Sequence, residues 1–546
     1  MRLNQLFFIT LVSALLAACY QGENADLIVH NAQIYSCDEN FTIYEAMAIR
    51  DGKIIQLGPE REILNGYKCD NIVDAQIRPI YPGFYDGHCH FLGYAKSLSE
   101  VDLNGCGSFN EVVERVKTYE QSNELEWIEG RGWDQTLWAI DSFPNNAVFN
   151  ELYPDKPLLI RRVDSHAALA NAKALEIAGI TAETVIAGGF IGVENGVLTG
   201  LLLDNAYDSV AKCIPQMPAE QKLNFLQKAE NDLFAAGLTS INDAGIESVD
   251  RELYMNWYAN GDLRIKDYAM LFPDSDNMDF SSQEGIYKKG NLHIRSFKII
   301  ADGALGSRGA CLLKPYSDEH NHLGFMLRDT IELVDIAGLA KEIDYQINTH
   351  CIGDSANRTM LNIYAQVIQD KMDHRWKIEH AQVLNEADFD FFESIRIIPS
   401  VQPTHCTSDM RWAEKRLGSE RIVYSYAYKK LLNKAGRVVL GTDFPIERIY
   451  PLETFYAAVT RMDRDGYPED GFYPNEVLTR EEALKGMTIW AAYSNFEEDE
   501  RGSLEAGKAA DFVMLTQDIM RVESNEILST FVVQTYLDGV MVYDGN

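Results

Sequence analysis

Short apolar runs with alternating polar positions occupy both ends of the chain. Between residues 26 and 80, the segments "ADLIVHNAQIYS", "AMAIRDGKIIQLG" and "CDNIVDAQIRPI" are separated by Asp-Gly and polar clusters. The C-terminal segments "ADFVMLTQD" and "STFVVQTYLDGVMVYDG" repeat this texture. Alternation of this kind is typical of antiparallel strands. We therefore expect residues 19–80 and 500–546 to build one composite β-sandwich from both chain ends.

The middle of the chain alternates strand-like apolar runs with amphipathic helical segments, which predicts βα units and a parallel sheet. The candidate strands are 78–88, 238–245, 264–272, 295–303, 344–350, 375–380, 395–402 and 437–444. Eight strands are what a closed (β/α)8 TIM barrel requires, so we predict an α/β barrel over residues 81–499. The first gap is too long for one βα connection, which predicts an inserted lobe at about 105–215.

Composition and charge narrow the possible partners. Hydrophobic residues make up 46% of the chain and charged residues 24%, which is typical of a folded soluble protein. The formal net charge of −33 would repel a phosphate backbone, so nucleic acid is excluded as an expected partner. The nine cysteines form no C-x-x-C pair, so we expect no structural zinc site and can deduce no disulfide pairing.

The first residues, "MRLNQLFFITLVSALLAACYQ", place one arginine before an apolar run that is too short to span a bilayer. We interpret residues 1–18 as a signal peptide. The stretch "LAAC" at residues 16–19 resembles a bacterial lipoprotein box, which predicts a lipid on Cys19 and a membrane anchor. Because Tyr20 follows instead of aspartate, the expected address is the outer membrane, facing the periplasm. The alternative is plain secretion after cleavage near Ala18.

Candidate metal ligands stand where the predicted barrel strands end, the place where this architecture builds its sites. Neutral imidazoles together with an anion are the ligands that a borderline divalent cation prefers. Since alternate strand residues face the same side, His88 and His90 can grip one ion while Cys89 points away. The full candidate set is His88, His90, Lys298, His350, His380 and Asp443.

Several phrases of the sequence resemble the amidohydrolase superfamily of metal hydrolases, in its YtcJ-like branch, which includes N-substituted formamide deformylase. They are "PGFYDGHCHF", "GRGWDQTLW", "DSHAALANAKALEIAGI", "GLTSINDAG", "FKIIADGALGSRGA", "HCIGDSAN", "IEHAQ", "VQPTH", "GTDFPIE" and "GSLEAGKAADFVML". The resemblance covers nearly the whole mature chain. It implies a (β/α)8 barrel with a composite β-sandwich, and hydrolysis of an amide or related C–N bond of a small molecule at one or two divalent metal ions, with zinc the expected metal.

Carried over by position, the resemblance assigns His88 and His90 to a more buried metal and His350 and His380 to a more exposed one. Lys298 would bridge the two ions after its amine takes up carbon dioxide and becomes a carbamate, because an ordinary lysine is a cation and cannot ligate. The alternatives are an unmodified Lys298 that orients the substrate, or a site with a single metal.

Asp443 has a second expected role, as the catalytic proton shuttle between the attacking water and the leaving nitrogen. A bound divalent cation lowers the pKa of water toward about 7 and polarises a carbonyl. The alternative for Asp443 is a helix N-cap, since a proline and a glutamate follow it closely.

Four further residues are expected to contact the substrate. The alternatives are core packing for Trp133 and His166, and a solvent-exposed loop position for His405. A Gly-rich run to about residue 325 could form a lid after the fourth strand. The predicted substrate contacts are Trp133, His166, Arg308 and His405.

Two other functions stay open at this point. The same chemistry would suit a metallo-esterase or lactonase, because an activated water attacks either type of carbonyl. A lipid anchor is also common on extracytoplasmic solute-binding lipoproteins. The chain could in addition form a homo-oligomer, and the sequence does not identify the substrate.

Overall fold

A parallel barrel forms the centre of the computed structural model, which describes residues 23–123, 125–368 and 373–545. Within these residues the strands are β1 (Glu23–Asn24), β2 (Leu27–His30), β3 (Gln33–Tyr35), β4 (Ile43–Tyr44), β5 (Ala46–Arg50), β6 (Lys53–Gly58), β7 (Tyr67–Lys68), β8 (Ile72–Asp74), β9 (Pro79–Pro82), β10 (Phe84–Cys89), β11 (Val101–Asp102), β12 (Ile128–Trp133), β13 (Leu158–Arg162), β14 (Ala167–Ala170), β15 (Gly189–Glu194), β16 (Val197–Asp204), β17 (Leu238–Ile246), β18 (Lys266–Leu271), β19 (Tyr287–Lys289), β20 (Leu292–Ile300), β21 (Gln346–Cys351), β22 (Lys377–His380), β23 (Ile398–Val401), β24 (Val439–Leu440), β25 (Phe512–Leu515), β26 (Val532–Leu537) and β27 (Val540–Asp544).

The α-helices of the same residues pack around the sheets. They are α1 (Glu60–Gly66), α2 (Phe91–Ser97), α3 (Phe109–Gln121), α4 (Ala147–Leu152), α5 (Ala172–Ile177), α6 (Asn205–Ala211), α7 (Ala219–Ala235), α8 (Ser248–Asn260), α9 (Ser275–Glu284), α10 (Thr330–Glu342), α11 (Asp354–Val367), α12 (Asp390–Ser394), α13 (Pro403–Asp409), α14 (Ala413–Leu417), α15 (Tyr428–Ala435), α16 (Pro451–Thr460), α17 (Arg480–Gly486) and α18 (Ile489–Ser494).

The barrel strands follow one another in the order β10, β17, β18, β20, β21, β22, β23, β24, and every pair between neighbours is parallel. Two backbone hydrogen bonds link the first and last strands where they end: Asp443 N donates to His88 O at 2.8 Å, and His90 N donates to Phe444 O at 2.8 Å. Each of the eight predicted runs overlaps one barrel strand, so the predicted (β/α)8 architecture is confirmed.

The first predicted strand needs one correction. The run 78–88 is divided into β9 and β10, and only β10 belongs to the barrel. The chain leaves one sheet for the other at Gly83, whose backbone N–H donates to Asp511 O at 2.9 Å. A side chain there would clash, because a Cβ on Gly83 would lie 2.2 Å from Thr239 Oγ1.

The two chain ends share sheets and a core, as the alternating runs predicted. β9, β3 and β4 from the N-terminal part join β25, β26 and β27 in one six-stranded sheet. A four-stranded sheet of β6, β5, β2 and β8 lies beside it. Side chains from both ends, such as Val29, Ile34, Phe512 and Tyr536, are buried in a common cluster. The composite sandwich is therefore present.

A third sheet is inserted between β10 and β17. Its six strands have the order β11, β12, β13, β14, β16, β15, and they run from Val101 to Asp204. Apolar residues of these strands and of α3 and α4 form a core separate from the barrel core. The inserted lobe thus exists, and its predicted outer limits of about 105–215 stay a prediction.

Residues 1–18 and Cys19 lie outside the described residues. Among the residues that the structure does describe, no helix is both long enough and apolar enough to cross a bilayer. The eight cysteines in this part of the chain are free thiols.

Candidate active site

His88 on β10 and His90, which directly follows this strand, meet residues from β20, β22 and the segment after β24. His88 is fully buried, and its Nδ1 lies 2.6 Å from Glu379 Oε2. On the other side of the ring, His88 Nε2 lies 3.2 Å from Lys298 Nζ and 3.5 Å from Asp443 Oδ1. His90 Nε2 approaches the same Asp443 oxygen to 3.1 Å. Asp443 Oδ1 therefore faces both histidines at once.

Three further imidazoles lie beside this cluster, and one of them faces the other oxygen of Asp443. His405 Nε2 lies 3.4 Å from Asp443 Oδ2, and the His405 ring stacks on His380 with centroids 5.8 Å apart. The His350 and His380 rings are in edge contact at 4.5 Å. Segments that are distant in sequence thus bring five imidazoles and one carboxylate to the same end of the barrel.

Local backbone geometry aims two of these side chains. Asp443 follows β24 with a φ of +62°, and His380 ends β22 with a φ of +71°. Left-handed backbone is unfavourable for residues with a Cβ, and such strain collects at functional sites. On β22, Lys377 and Glu379 contact Asn495 and His88 of the barrel interior, so simple alternation would send His380 outward. The left-handed turn brings it back to the site.

Alternation holds on β10, as predicted. Cys89 is buried on the opposite side from its two neighbours, and its thiol donates to Asn242 O at 3.4 Å. Cys89 is therefore not a ligand candidate.

The buried imidazoles are neutral near neutral pH. Burial lowers the pKa of His88 to about 4, with the nearby Lys298 charge adding to the effect. Burial also lowers the pKa of His350 and of His380 well below the usual range, and lowers that of His405. A neutral ring nitrogen keeps the lone pair that a metal ligand needs.

The acidic groups stay ionised. Burial alone would raise the pKa of Asp443, but the histidines around it outweigh burial and hold that pKa well below its usual range. The same opposition lowers the pKa of Glu379 to about 2, because His88 and two lysines face it. Burial lowers the pKa of Lys298, which increases the fraction of neutral amine available to carbon dioxide.

These residues fit one or two divalent cations. The ligand atoms of His88, His90 and Asp443 lie within 4.8 Å of one another, and so do those of His380, His405 and Asp443. Asp443 Oδ1, His350 Nε2 and His405 Nε2 are buried and have no hydrogen-bond partner. Buried polar atoms are normally paired, so converging unpaired lone pairs are what a cation site presents.

The inserted lobe supplies the opposite wall of a cavity of about 940 Å³ above these groups. His166 lies on this wall, with its ring 5.0 Å from the His350 ring. Its Nδ1 lies 2.6 Å from Asp204 Oδ1. Burial by itself lowers the pKa of His166. The hydrogen bond to Asp204 and the negative charge of its carboxylate outweigh burial and raise the pKa to about 9.

The structure brings most of the predicted residues together, but not Trp133 and Arg308. Trp133 is fully buried in the lobe core, and its indole N–H donates to Ile160 O at 3.0 Å. Arg308 pairs with Asp318 at 2.9 Å, in the loop after β20. Neither side chain is among the described residues that line the cavity, and their contact with the substrate stays a prediction. Trp133 is large and apolar, which suits a core position better than a polar wall.

Sequence analysis missed Glu379, Asp302 and Arg131. Asp302 accepts backbone N–H bonds from Cys311, Ile352 and Gly353 and lies 3.8 Å from His350 Nε2. Burial raises its pKa to about 7. A charged residue inside a buried strand or directly after one is the signal that could have found all three.

Comparisons with known proteins agree with this geometry. The model of the Amidohydrolase family matches residues 71–543. Putative amidohydrolase YtcJ of Bacillus subtilis (strain 168) is 28% identical over 527 residues, which cover 95% of this chain and 99% of that protein. N-substituted formamide deformylase of Arthrobacter pascens is 26% identical over 544 residues, or 95% of this chain and 98% of the relative.

Solved structures give the same result. An uncharacterized metal-dependent hydrolase from Pyrococcus horikoshii OT3 has a TM-score of 0.74 and 26% identity, and the match covers 91% of this chain and 99% of that one. The resemblance drawn from the sequence phrases is thereby confirmed. The family match spans the barrel, the inserted lobe and the C-terminal strands of the sandwich, and it begins after β7. With this match and this set of metal-binding side chains, the protein is a hydrolase, and the chain belongs to the amidohydrolase family.

Proposed function

We propose that this amidohydrolase uses a metal-activated water to cleave the C–N bond of a small amide, formamide or cyclic amide in the cavity above the barrel. The observation that carries the proposal is the pair of ligand groups that share Asp443. The relative named N-substituted formamide deformylase supports the C–N bond as the point of attack.

His88, His90, His350, His380 and Asp443 would hold one or two divalent cations, with zinc the expected ion. The bound metal would supply a water of lowered pKa and polarise the scissile carbonyl. Lys298 would serve as a bridging ligand in its carboxylated form, since the residue is 1% exposed and its Nζ lies 3.2 Å from His88 Nε2.

Asp443 would move the proton. Its ionised carboxylate can take a proton from the attacking water as the new C–O bond forms, and can pass it to the nitrogen as the C–N bond breaks. His166 and His405 line the same cavity and could donate hydrogen bonds to the substrate oxygen.

The test combines metal analysis with a hydrolysis screen of N-formyl, N-acyl, cyclic amide and ester libraries. We expect about one to two zinc equivalents per chain, lost in a His88→Ala/His90→Ala variant. Asp443→Asn should keep metal but lower turnover by about 10²-fold or more. Hydrolysis of esters alone would favour the metallo-esterase or lactonase, and metal-free native protein that binds but never cleaves would favour a solute-binding protein.

We also propose that the protein is an envelope lipoprotein anchored through Cys19. Labelling cells with radioactive palmitate tests this proposal. The basis is the "LAAC" stretch that follows the apolar run. We expect label on the wild type and none on a Cys19→Ser variant, and an unlabelled wild type would contradict the anchor.

Light scattering of the mature chain would test whether the protein forms a homo-oligomer.

A further inference from the structure

Arg131 on β12 is a buried cation without a counterion. The residue is 4% exposed, lines the cavity, and has no hydrogen bond at its Nε and Nη1 atoms. Its Nη2 donates to Val163 O at 3.2 Å and to Ser165 Oγ at 3.4 Å, which fixes the plane of the guanidinium. Guanidinium keeps its charge in proteins, so burying one with unused donors is costly unless a ligand completes it.

The two neighbouring arginines of the same wall show the contrast. Arg162 pairs with Asp134 at 2.5 Å and with Asp164 at 2.6 Å, and Arg161 pairs with Glu100. Among the described residues, no carboxylate lies within ion-pair distance of Arg131. Among the described residues, Arg131 is thus a buried arginine of the cavity wall with no carboxylate within ion-pair distance.

A short series of contacts connects Arg131 with the metal-binding groups. Ser165, which accepts from Arg131, has a left-handed φ of +57° and directly precedes His166. The His166 ring is in turn 5.0 Å from the ring of His350. A small molecule whose carbonyl sits at the histidines could therefore reach Arg131 with its other end.

We propose that Arg131 binds a carboxylate of the substrate, so that the substrate is an amide-type compound with an acid group remote from the scissile C–N bond. The Nε and Nη1 atoms of Arg131 have no partner, and a charge-assisted hydrogen bond to a carboxylate would satisfy an unused donor and offset the buried charge. This inference rests on the proposed function and adds the substrate class to it.

The experiment compares matched acids and alcohols in the zinc-loaded protein. The substrates are the N-formyl and N-acetyl derivatives of glycine, β-alanine and 4-aminobutyrate. Each is compared with the amino alcohol that carries the same acyl group and has a hydroxymethyl group in place of the carboxylate. We expect kcat/KM of at least one acid to exceed that of its alcohol by about tenfold or more. Arg131→Met should lower kcat/KM of the acid by about tenfold, mainly through KM, and leave the alcohol within about twofold.

Two further variants separate recognition from structure. Arg131→Lys keeps the charge but not the planar guanidinium, so its kcat/KM for the acid should lie between those of wild type and Arg131→Met. Arg521→Met removes an arginine that does not line the cavity, with a side chain 64% exposed, and should change kcat/KM of neither substrate. If Arg131→Met lowers kcat/KM equally for the acid and for the alcohol, the role of Arg131 is structural and the inference is wrong.

If no member of the series is cleaved, that result counts against the proposed function alone. The inference is then tested by measuring binding. Calorimetry with 4-phenylbutyrate and 4-phenylbutanol then replaces kinetics. We expect Arg131→Met to weaken binding of the acid by about tenfold and to leave the alcohol unchanged. Equal affinities of wild type and variant for the acid would overturn the carboxylate site.

Discussion

Glu379 orients His88, one of the proposed metal ligands. Its Oε2 lies 2.6 Å from His88 Nδ1, so the other nitrogen of His88 is the one that faces Asp443. Glu379→Gln keeps a hydrogen-bond acceptor but removes the negative charge, which makes the imidazole less basic. We expect zinc affinity to fall by about 10- to 100-fold, measured by competition with a chelator.

A surface glutamate gives the matched control. Glu114 on α3 has a side chain 70% exposed, and Glu114→Gln should leave zinc affinity unchanged. Unchanged affinity in Glu379→Gln as well would show that Glu379 does not act on the metal through His88.

His374 makes stability depend on pH away from the site. Its Nδ1 accepts from Trp376 N–H at 2.9 Å and its Nε2 lies 2.9 Å from Ile395 O, so the folded protein requires the neutral ring. Burial lowers the pKa of His374 to about 4, against an unfolded value of about 6.5. The unfolded chain therefore takes up a proton first as pH falls, and stability is lost between these two values by up to roughly 3 kcal/mol.

Urea unfolding at about pH 7.5 and pH 5 measures this effect. His374→Asn should be less stable than wild type at the higher pH, because it loses one of the two hydrogen bonds. The difference in free energy of unfolding should shrink at the lower pH, since the variant has no proton to take up there. A difference that is the same at both pH values would exclude His374 as the source.

Gly87 allows the first and last barrel strands to close on each other. A Cβ at this position would lie 2.2 Å from Val439 Cγ1 and 2.7 Å from Leu440 O. Gly87→Ala should push β24 away from β10 and so displace Asp443 from His88. We expect a loss of about 1–3 kcal/mol in unfolding free energy and a fall in turnover larger than the fall in stability explains.

Gly338, inside α10, is the control for the same substitution. No atom lies within 4 Å of a Cβ built there, so Gly338→Ala should be neutral or stabilise by up to about 1 kcal/mol. Equal effects of the two substitutions would mean that strand closure at Gly87 is not tight.

At the level of elements, strand positions could be predicted because the barrel strands are short apolar runs with turn signals between them. His88 and His90 were also predictable, since plain alternation puts both on one side of β10. Glu379 is not predictable in this way, because an inward-facing His380 at the end of β22 would by alternation send its neighbour outward. The left-handed φ of His380 is a property of the folded strand end, and no pattern of residues in the sequence predicts it.

Across the whole molecule, the cavity depends on contacts between distant segments. The lobe wall at Arg131 and His166 faces barrel residues more than 180 positions later, such as His350. Composition and periodicity locate the lobe, but they do not say which of its faces turns toward the barrel. This is why Trp133 was placed at the substrate while Arg131, two residues earlier on β12, was overlooked.

One buried ion pair joins the barrel to the C-terminal sheet. Lys266 at the start of β18 is 3% exposed, and its Nζ lies 2.7 Å from Asp511 Oδ2 and 2.6 Å from Asp538 Oδ1. Asp511 precedes β25, and Asp538 lies in the turn between β26 and β27. Removing one partner of a buried pair leaves the other charge without compensation, which is more costly than the pair itself is favourable.

Lys266→Met should therefore destabilise the whole protein by about 3–5 kcal/mol, measured by urea unfolding, and should increase hydrogen exchange in β25 to β27. Adding Asp511→Asn should restore part of this loss, because the stranded charge is then removed. Lys434→Met is the control: it breaks a 2.6 Å pair with Asp390, whose side chain is 79% exposed, and should cost at most about 1 kcal/mol. If both lysine variants lose equally little, the terminal sheet is held to the barrel by apolar packing and not by this charge.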